Sequence, residues 1–76
     1  MNNRLRVLRA EKRISQEQLA AALKVHRQSI FAIENKKYVP STLLALRLAL
    51  FFEKKVEEVF SLEEGEANLD APPAAQ

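Results

Sequence analysis

The chain has 76 residues, with 12 Lys and Arg, 10 Asp and Glu, one His, one Gly, three Pro and no Cys. A chain of this length makes one domain, whose modest core must pack efficiently or draw stability from a partner. Without cysteine there is no disulfide framework and no thiolate metal site, and His26 alone cannot hold a metal ion. The longest apolar stretch, residues 43–52, contains Arg47 and is too short to cross a bilayer. Arg4, Arg6 and Arg9 interrupt the N-terminal region where a secretory signal would need an unbroken apolar run. The expectation is a soluble cytoplasmic protein with no membrane contact, no metal and no cofactor.

The net charge of +2 conceals an asymmetry. Residues 1–52 carry ten basic and three acidic side chains, whereas residues 53–76 carry two basic and seven acidic ones. A compact basic body favours a polyanionic partner. The chain lacks a paired-carboxylate site, a Ser/His/Asp set and a glycine-rich phosphate loop, so an enzyme is not expected. No small-molecule site is evident.

Helix breakers are rare before residue 65, which predicts helices joined by short turns, and no segment alternates as a strand should. The first helix is expected from about Asn3 to Lys12, with Leu5 and Leu8 inward, Val7 close by, and arginines around the rest. Ser15 reads as an N-cap, because Gln18 three residues later completes a capping box. The second helix then runs from Gln16 to Leu23 with Leu19, Ala20 and Leu23 on one stripe. A third is expected from Arg27 to Glu34, anchored by Ile30 and Ile33. Residues 35–40 read as a loop ending at Pro40. Ser41 caps a fourth helix from Thr42 to Phe52 that is apolar on more than one face, and a short fifth covers Val56 to Phe60. The domain is expected to span residues 1–62. From Glu63 to Gln76 the residues are acidic, small or proline, and a disordered tail is expected.

Two short helices joined tightly between residues 15 and 34 fit a helix-turn-helix. Small Ala20 allows close approach and Val25 plugs the turn. Arg27, Gln28, Phe31 and Ala32 are left on the outer face of the third helix. A helix fits the major groove of DNA, where Gln pairs bidentately with adenine, Arg with guanine, and an apolar side chain meets the thymine methyl.

These residues resemble the Cro/CI-type, or xenobiotic-response-element-like, helix-turn-helix family. The resemblance lies in Leu8-Arg9, Ser15 to Ala20, Val25, Arg27 to Ile30, Ile33 to Lys37, Pro40, Leu43 to Leu50 and Val56 to Phe60. It implies an all-α, compact five-helix, lambda-repressor-like fold and a transcriptional regulator, repressor-like, that binds double-stranded DNA. The host would be bacterial, archaeal or phage, with the bound protein on the nucleoid. By position, Arg27, Gln28, Phe31 and Ala32 resemble the base-reading set. Gln16, Asn35 and Lys37 resemble phosphate-contacting residues, to which Lys36, Arg13 and His26 are added, with Arg4 and Arg6 as further basic candidates. Arg9 and Glu34 resemble a structural ion pair.

The sequence departs from the family at three positions. Lys36 stands where a glycine commonly follows the third helix, Glu53 where glycine or asparagine is common after the fourth, and His26 where serine or threonine often caps the third helix. One recognition helix reads few base pairs, so a homodimer on an inverted repeat is expected. Phe52, Val56 and Leu62 are its candidate contacts, while Phe51 and Phe60 are assigned to the core. The rival reading is a protein-interaction module of the same fold, such as an antitoxin or anti-repressor.

Overall fold

Four of the five helices end in the same turn, and the residue that makes each turn carries a side chain. The computed structural model describes residues 1–67. The elements in order are β1 (Asn2–Asn3), α1 (Leu5–Lys12), α2 (Gln16–Leu23), α3 (Arg27–Glu34), α4 (Thr42–Phe51), α5 (Val56–Val59) and β2 (Phe60–Ser61). The five expected helices are all present, with ends within two residues of the expected ones. The two-residue strands were not expected. Asn2 pairs with Ser61 and Asn3 with Phe60, antiparallel, and the pairing holds the two ends of the helical body together. Strands this short carry no side-chain alternation, so the sequence pattern had nothing to show.

The helix starts follow the sequence. Ser15 Oγ accepts from the Gln18 amide at 3.0 Å, and Gln18 Oε1 accepts from the Ser15 amide at 2.8 Å, which closes the capping box on α2. Ser41 Oγ accepts from the Leu44 amide at 3.1 Å and starts α4. His26 precedes α3 in an extended conformation and makes no side-chain cap bond.

The helix ends share one hydrogen-bond pattern. After α1, the Arg13 amide donates to Ala10 and the Ile14 amide to Arg9. After α2, Lys24 donates to Ala21 and Val25 to Ala20; after α3, Lys36 donates to Ile33 and Lys37 to Ala32. After α4, Glu53 donates to Leu50 and Lys54 to Ala49. These nested pairs are Schellman turns, which need one residue in the left-handed region. That residue is Arg13, Lys24, Lys36 or Glu53, with φ of 57°, 58°, 61° and 56°. The one glycine, Gly65, lies outside all four turns. A residue with a β-carbon is strained there by on the order of 1 kcal/mol. Packing offsets the strain at the first two turns, because the next residues, Ile14 and Val25, lie against the core.

The core is one cluster drawn from every helix. Leu5 and Leu8 of α1 meet Leu19, Ala20 and Leu23 of α2, Ile30 and Ile33 of α3, and Leu44, Leu48 and Ala49 of α4. Val59 and Phe60 close one end, and Val7 stays on the surface. Phe52 corrects the sequence reading. It is 5% exposed and belongs to the core, not to a free surface. It follows Leu44 and Leu48 at four-residue spacing on the inner side of α4, and its ring packs edge-on against Phe51 at 5.0 Å. Arg47, the one charged side chain on α4, reaches across to donate to the Leu23 carbonyl at 2.8 Å. No helix among the described residues is long and apolar enough to cross a membrane.

The chain folds back on itself past residue 62. The N-terminal ammonium donates to Glu63 Oε2 at 2.6 Å and to Glu66 Oε2 at 2.8 Å, and Lys36 Nζ lies 3.6 Å from Glu63 Oε1. The acidic residues assigned to a tail thus begin as a turn against the body, while residues 68–76 of that tail lie outside the described residues.

Relief of one strained turn tests this account. Glu53→Gly removes the β-carbon clash without touching a buried group and should stabilise by about 0.5–1 kcal/mol. Thermal unfolding followed by circular dichroism should show a midpoint several degrees higher. Glu53→Ala, which keeps the β-carbon, should leave the midpoint close to the parent's.

Candidate nucleic-acid interface

The direction of α3 is set from its inner face. Ile30 and Ile33 are buried, and so is Glu34, the one buried charged residue among those described. A carboxylate out of water is costly unless paired and hydrogen-bonded. Arg9 supplies the pairing in bidentate form, Nε to Oε2 at 2.6 Å and Nη2 to Oε1 at 2.9 Å. Gln16 Nε2 adds a third bond to Oε1 at 3.0 Å, and Arg6 Nε stands 3.8 Å away. The Glu34 side chain has no exposed surface and that of Arg9 is 15% exposed. Arg9 Nη1 also donates to the Ile14 carbonyl at 3.1 Å, so the same guanidinium holds the turn between α1 and α2.

The charge states follow from this geometry. Burial by itself pushes the Glu34 carboxyl up, but the bonds from Arg9 and Gln16 and the charges of Arg9 and Arg6 outweigh it, and the net shift is downward. Arg9 is raised by its bonds to Glu34, against a smaller opposing effect of burial. The expected ion pair is therefore present and joins α1 to α3.

With Ile30, Ile33 and Glu34 inward, Gln28 and Phe31 are exposed away from them, and Arg27 is exposed at the first position of the helix. Phe31 is 49% exposed, a large apolar area to leave in water beside two polar side chains. Ala32 is half-buried and sits at the margin of this face. The four residues assigned to base reading are thus on one helix, three facing out and one at the edge.

The residues assigned to phosphate contact divide in two. Arg13, His26, Lys36 and Lys37 are exposed. Gln16 is half-buried, with one amide proton committed to Glu34, so it braces the ion pair while a second proton and the carbonyl oxygen remain. Asn35 Nδ2 donates back to the Phe31 carbonyl at 2.8 Å, which closes the end of its own helix. The backbone amides of residues 35–37 are all used in that end turn, so any anion contact from these three residues comes from their side chains. Of the candidate dimer residues, Val56 is half-buried and Leu62 is 59% exposed.

Two positioning residues carried no signal in the sequence. Asn3 accepts from the Leu5 amide at 3.2 Å and donates to the Ile33 carbonyl at 2.9 Å, which ties the start of α1 to the end of α3. Arg47 ties α4 to the end of α2. A lone Asn or Arg is compatible with any surface, so neither could be found before the fold was known.

A helix pair locked at a tight turn, with the second helix presenting polar and aromatic side chains outward, defines a helix-turn-helix protein of the DNA-reading kind. Comparison with known proteins agrees. The helix-turn-helix family model matches residues 5–59. An uncharacterised HTH-type transcriptional regulator of Methanocaldococcus jannaschii, MJ0272, is 47% identical over 66 residues, covering 87% of this chain and 100% of that one. The uncharacterised HTH-type transcriptional regulator YgzD of Bacillus subtilis is 48% identical over 64 residues, 84% of this chain and 97% of its own. An uncharacterised HTH-type transcriptional regulator of Archaeoglobus fulgidus is 38% identical over 66 residues, 87% of this chain and 93% of its own. The chain belongs to the Cro/CI-type helix-turn-helix family, a family of transcriptional regulators rather than of enzymes.

The buried pair makes two testable demands. Arg9→Met strands the Glu34 charge and should cost about 3–5 kcal/mol, while Arg9→Met with Glu34→Leu should recover most of the loss. Urea unfolding of the three chains measures both. The second demand concerns pH. A carboxylate held below its ordinary value of 4.5 contributes stability above that pH and loses it as pH falls through the folded value. Glu63, lowered first by its bond from the N-terminal ammonium, and Glu66, lowered first by the Glu63 amide, act in the same direction. The difference between wild type and Glu34→Gln isolates Glu34: wild type should lose more stability on acidification below about pH 4.5.

Proposed function

We propose that this protein is a sequence-specific regulator that binds double-stranded DNA as a homodimer, with α3 in the major groove of each half-site. The observation that carries the reading is the outward face of α3. Arg27, Gln28 and Phe31 project together from its first two turns, while the inner face is immobilised by Ile30, Ile33 and the Glu34 ion pair. A recognition helix needs such a division, because side chains that read base edges must be free while the backbone that carries them is not.

In this reading Gln28 pairs with adenine, Arg27 with guanine or a phosphate, and Phe31 contacts a thymine methyl, with Ala32 at the rim. Lys37, Lys36, Arg13 and His26 contact phosphates, as do the free donors of Gln16 and Asn35, and they set register and affinity rather than sequence. The homologues named as transcriptional regulators support the regulatory role, and so does the basic body. Occlusion of the bound site is the simplest outcome of a helix-turn-helix seated on its operator, which makes the reading repressor-like. A pair of half-sites is needed because one helix spans too few base pairs to stand out from a genome. Such a protein works in the cytoplasm, on the nucleoid.

Selection of bound duplexes from a randomised pool at moderate salt should enrich an inverted repeat. A pool in which no sequence rises would overturn the base-reading assignment and leave the protein-interaction reading. On the selected site, Gln28→Ala should cost about 1–3 kcal/mol and have little effect on random duplex. Lys37→Ala should weaken both duplexes and flatten the dependence of log K on log salt by about one unit. Fluorescence anisotropy across a salt series distinguishes the two.

A further inference from the structure

The side chains assigned to phosphate contact differ in one respect. Among the described residues, Lys36 already has an acidic partner, whereas Lys37, Arg13 and His26 make no ion pair. Lys36 Nζ lies 3.6 Å from Glu63 Oε1. The fold brings Glu63 to this place. Asn3 is bonded to the Ile33 carbonyl near the end of α3, and β1 pairs with β2, so the chain leaving β2 passes residue 36. Glu63 is then fixed in a turn. Its Oε2 receives the N-terminal ammonium at 2.6 Å, its amide donates to Glu66 Oε1, and the Glu66 amide donates to its carbonyl at 3.0 Å. The chain's one glycine, Gly65, stands in this turn with φ of 91°. A β-carbon there would meet nothing within 4 Å, so the backbone conformation and not the space calls for glycine. Lys36 is the reverse case. It holds φ of 61° where glycine would be unstrained, and its amide is used in the helix-end turn. What lysine adds at this position is its ammonium.

We propose that Glu63 is a built-in competitor for the phosphate that Lys36 meets on DNA: its carboxylate holds the ammonium in the free protein and gives it up when a phosphodiester arrives. The proposal rests on the DNA-binding reading above and adds a residue that weakens that binding. A carboxylate and a phosphodiester each carry one negative charge on oxygen acceptors, so an ammonium can exchange one for the other. The pair is open enough for the exchange. The two side chains are 49 and 41% exposed, and their separation is longer than a hydrogen bond. Glu63 keeps a cation when Lys36 leaves, because the N-terminal ammonium remains on its other oxygen. Opposing the exchange, a phosphate on Lys36 lies well within the screening length of about 8 Å from Glu63, so the two anions repel. Each contact made by Lys36 therefore carries the loss of an ion pair and a like-charge repulsion, which Lys37 next to it is spared. Binding to random sequence is almost entirely phosphate contact, and it is the binding that such a competitor lowers most visibly.

The test measures binding of the full chain to random duplex at moderate salt by fluorescence anisotropy. Glu63→Gln removes the charge and keeps an acceptor for the N-terminal ammonium. It should tighten binding roughly three- to tenfold. Glu64→Gln makes the same change of charge one residue on, at an exposed side chain with no ion pair among the described residues, and should change binding by less than about twofold. Lys36→Met keeps the β-carbon of the strained turn and should weaken binding. In that background the effect of Glu63→Gln should fall below about twofold, because the exchange has lost its ammonium. All these side chains lie at the surface, and circular dichroism should show the same helix content throughout. The proposal is overturned if Glu63→Gln binds as wild type does, if Glu64→Gln tightens binding equally, or if Glu63→Gln acts as strongly without Lys36. In each of these outcomes wild type still binds, and the DNA reading stands. If no chain binds duplex at any salt, the DNA reading falls and the competitor with it. If wild type fails to bind while Glu63→Gln binds through Lys36, both are supported.

Discussion

One buried carboxylate organises this small domain. Glu34 sits at the end of α3, and its two oxygens receive Arg9 from α1 and Gln16 from α2. Arg9 extends the connection to the Ile14 carbonyl in the turn between those helices. Hydrophobic burial is not directional, and leucines alone would let a short helix rotate by some tens of degrees at little cost. A bidentate guanidinium–carboxylate pair is directional and tolerates much less. The rotation of α3 about its own axis is therefore set by Glu34, and with it the side on which Arg27, Gln28 and Phe31 emerge.

The remaining architecture makes short helices possible. Eight-residue helices are unstable alone, since nucleation costs more than so few hydrogen bonds return. Here their ends, apart from the start of α3 after His26, are held by groups outside the helix. The starts use Ser15 and Ser41, and the ends use four Schellman turns in which arginine, lysine or glutamate accepts a left-handed conformation. Tertiary bonds from Asn3 and Arg47 then tie the start of α1 to α3 and α4 to α2. The strained turns cost little in this setting because the next residue in two of them, Ile14 or Val25, contributes to the core.

The surface divides its tasks among different elements. α3 and its flanking loops carry the exposed polar, aromatic and basic groups, and α4 and the segment beyond it carry the exposed apolar ones. The separation keeps the large aliphatic side chains away from the helix whose outward face is polar and aromatic. The acidic residues after Phe60 add a third feature. Glu63 stands between the N-terminal ammonium and Lys36, so a residue just after α3 is in electrostatic contact with the segment that follows β2.

Most of the local structure was legible in the sequence alone. The Ser15–Gln18 capping box, the i, i+4 spacing of Leu19 and Leu23, and Pro40 before Ser41 are short-range signals that depend only on neighbours along the chain, and each helix they mark is where they put it. The outward set on α3 was legible too, because Ile30 and Ile33 leave only one side for Arg27, Gln28 and Phe31. What the sequence could not decide was which of two apolar faces of α4 is buried. Leu43 and Leu44, or Phe51 and Phe52, are adjacent and chemically alike, and a helix apolar on both sides has no preferred inward direction of its own. Packing against α5 and the shared core made that choice, putting Phe52 in the core and Leu43, Leu46 and Leu50 in water. The same limit applied to Asn3, Arg47 and the strand pair, whose partners lie 24 to 59 residues away along the chain. Helix propensity and capping are properties of a few consecutive residues and can be read from them; the side that a helix turns inward is a property of what it meets.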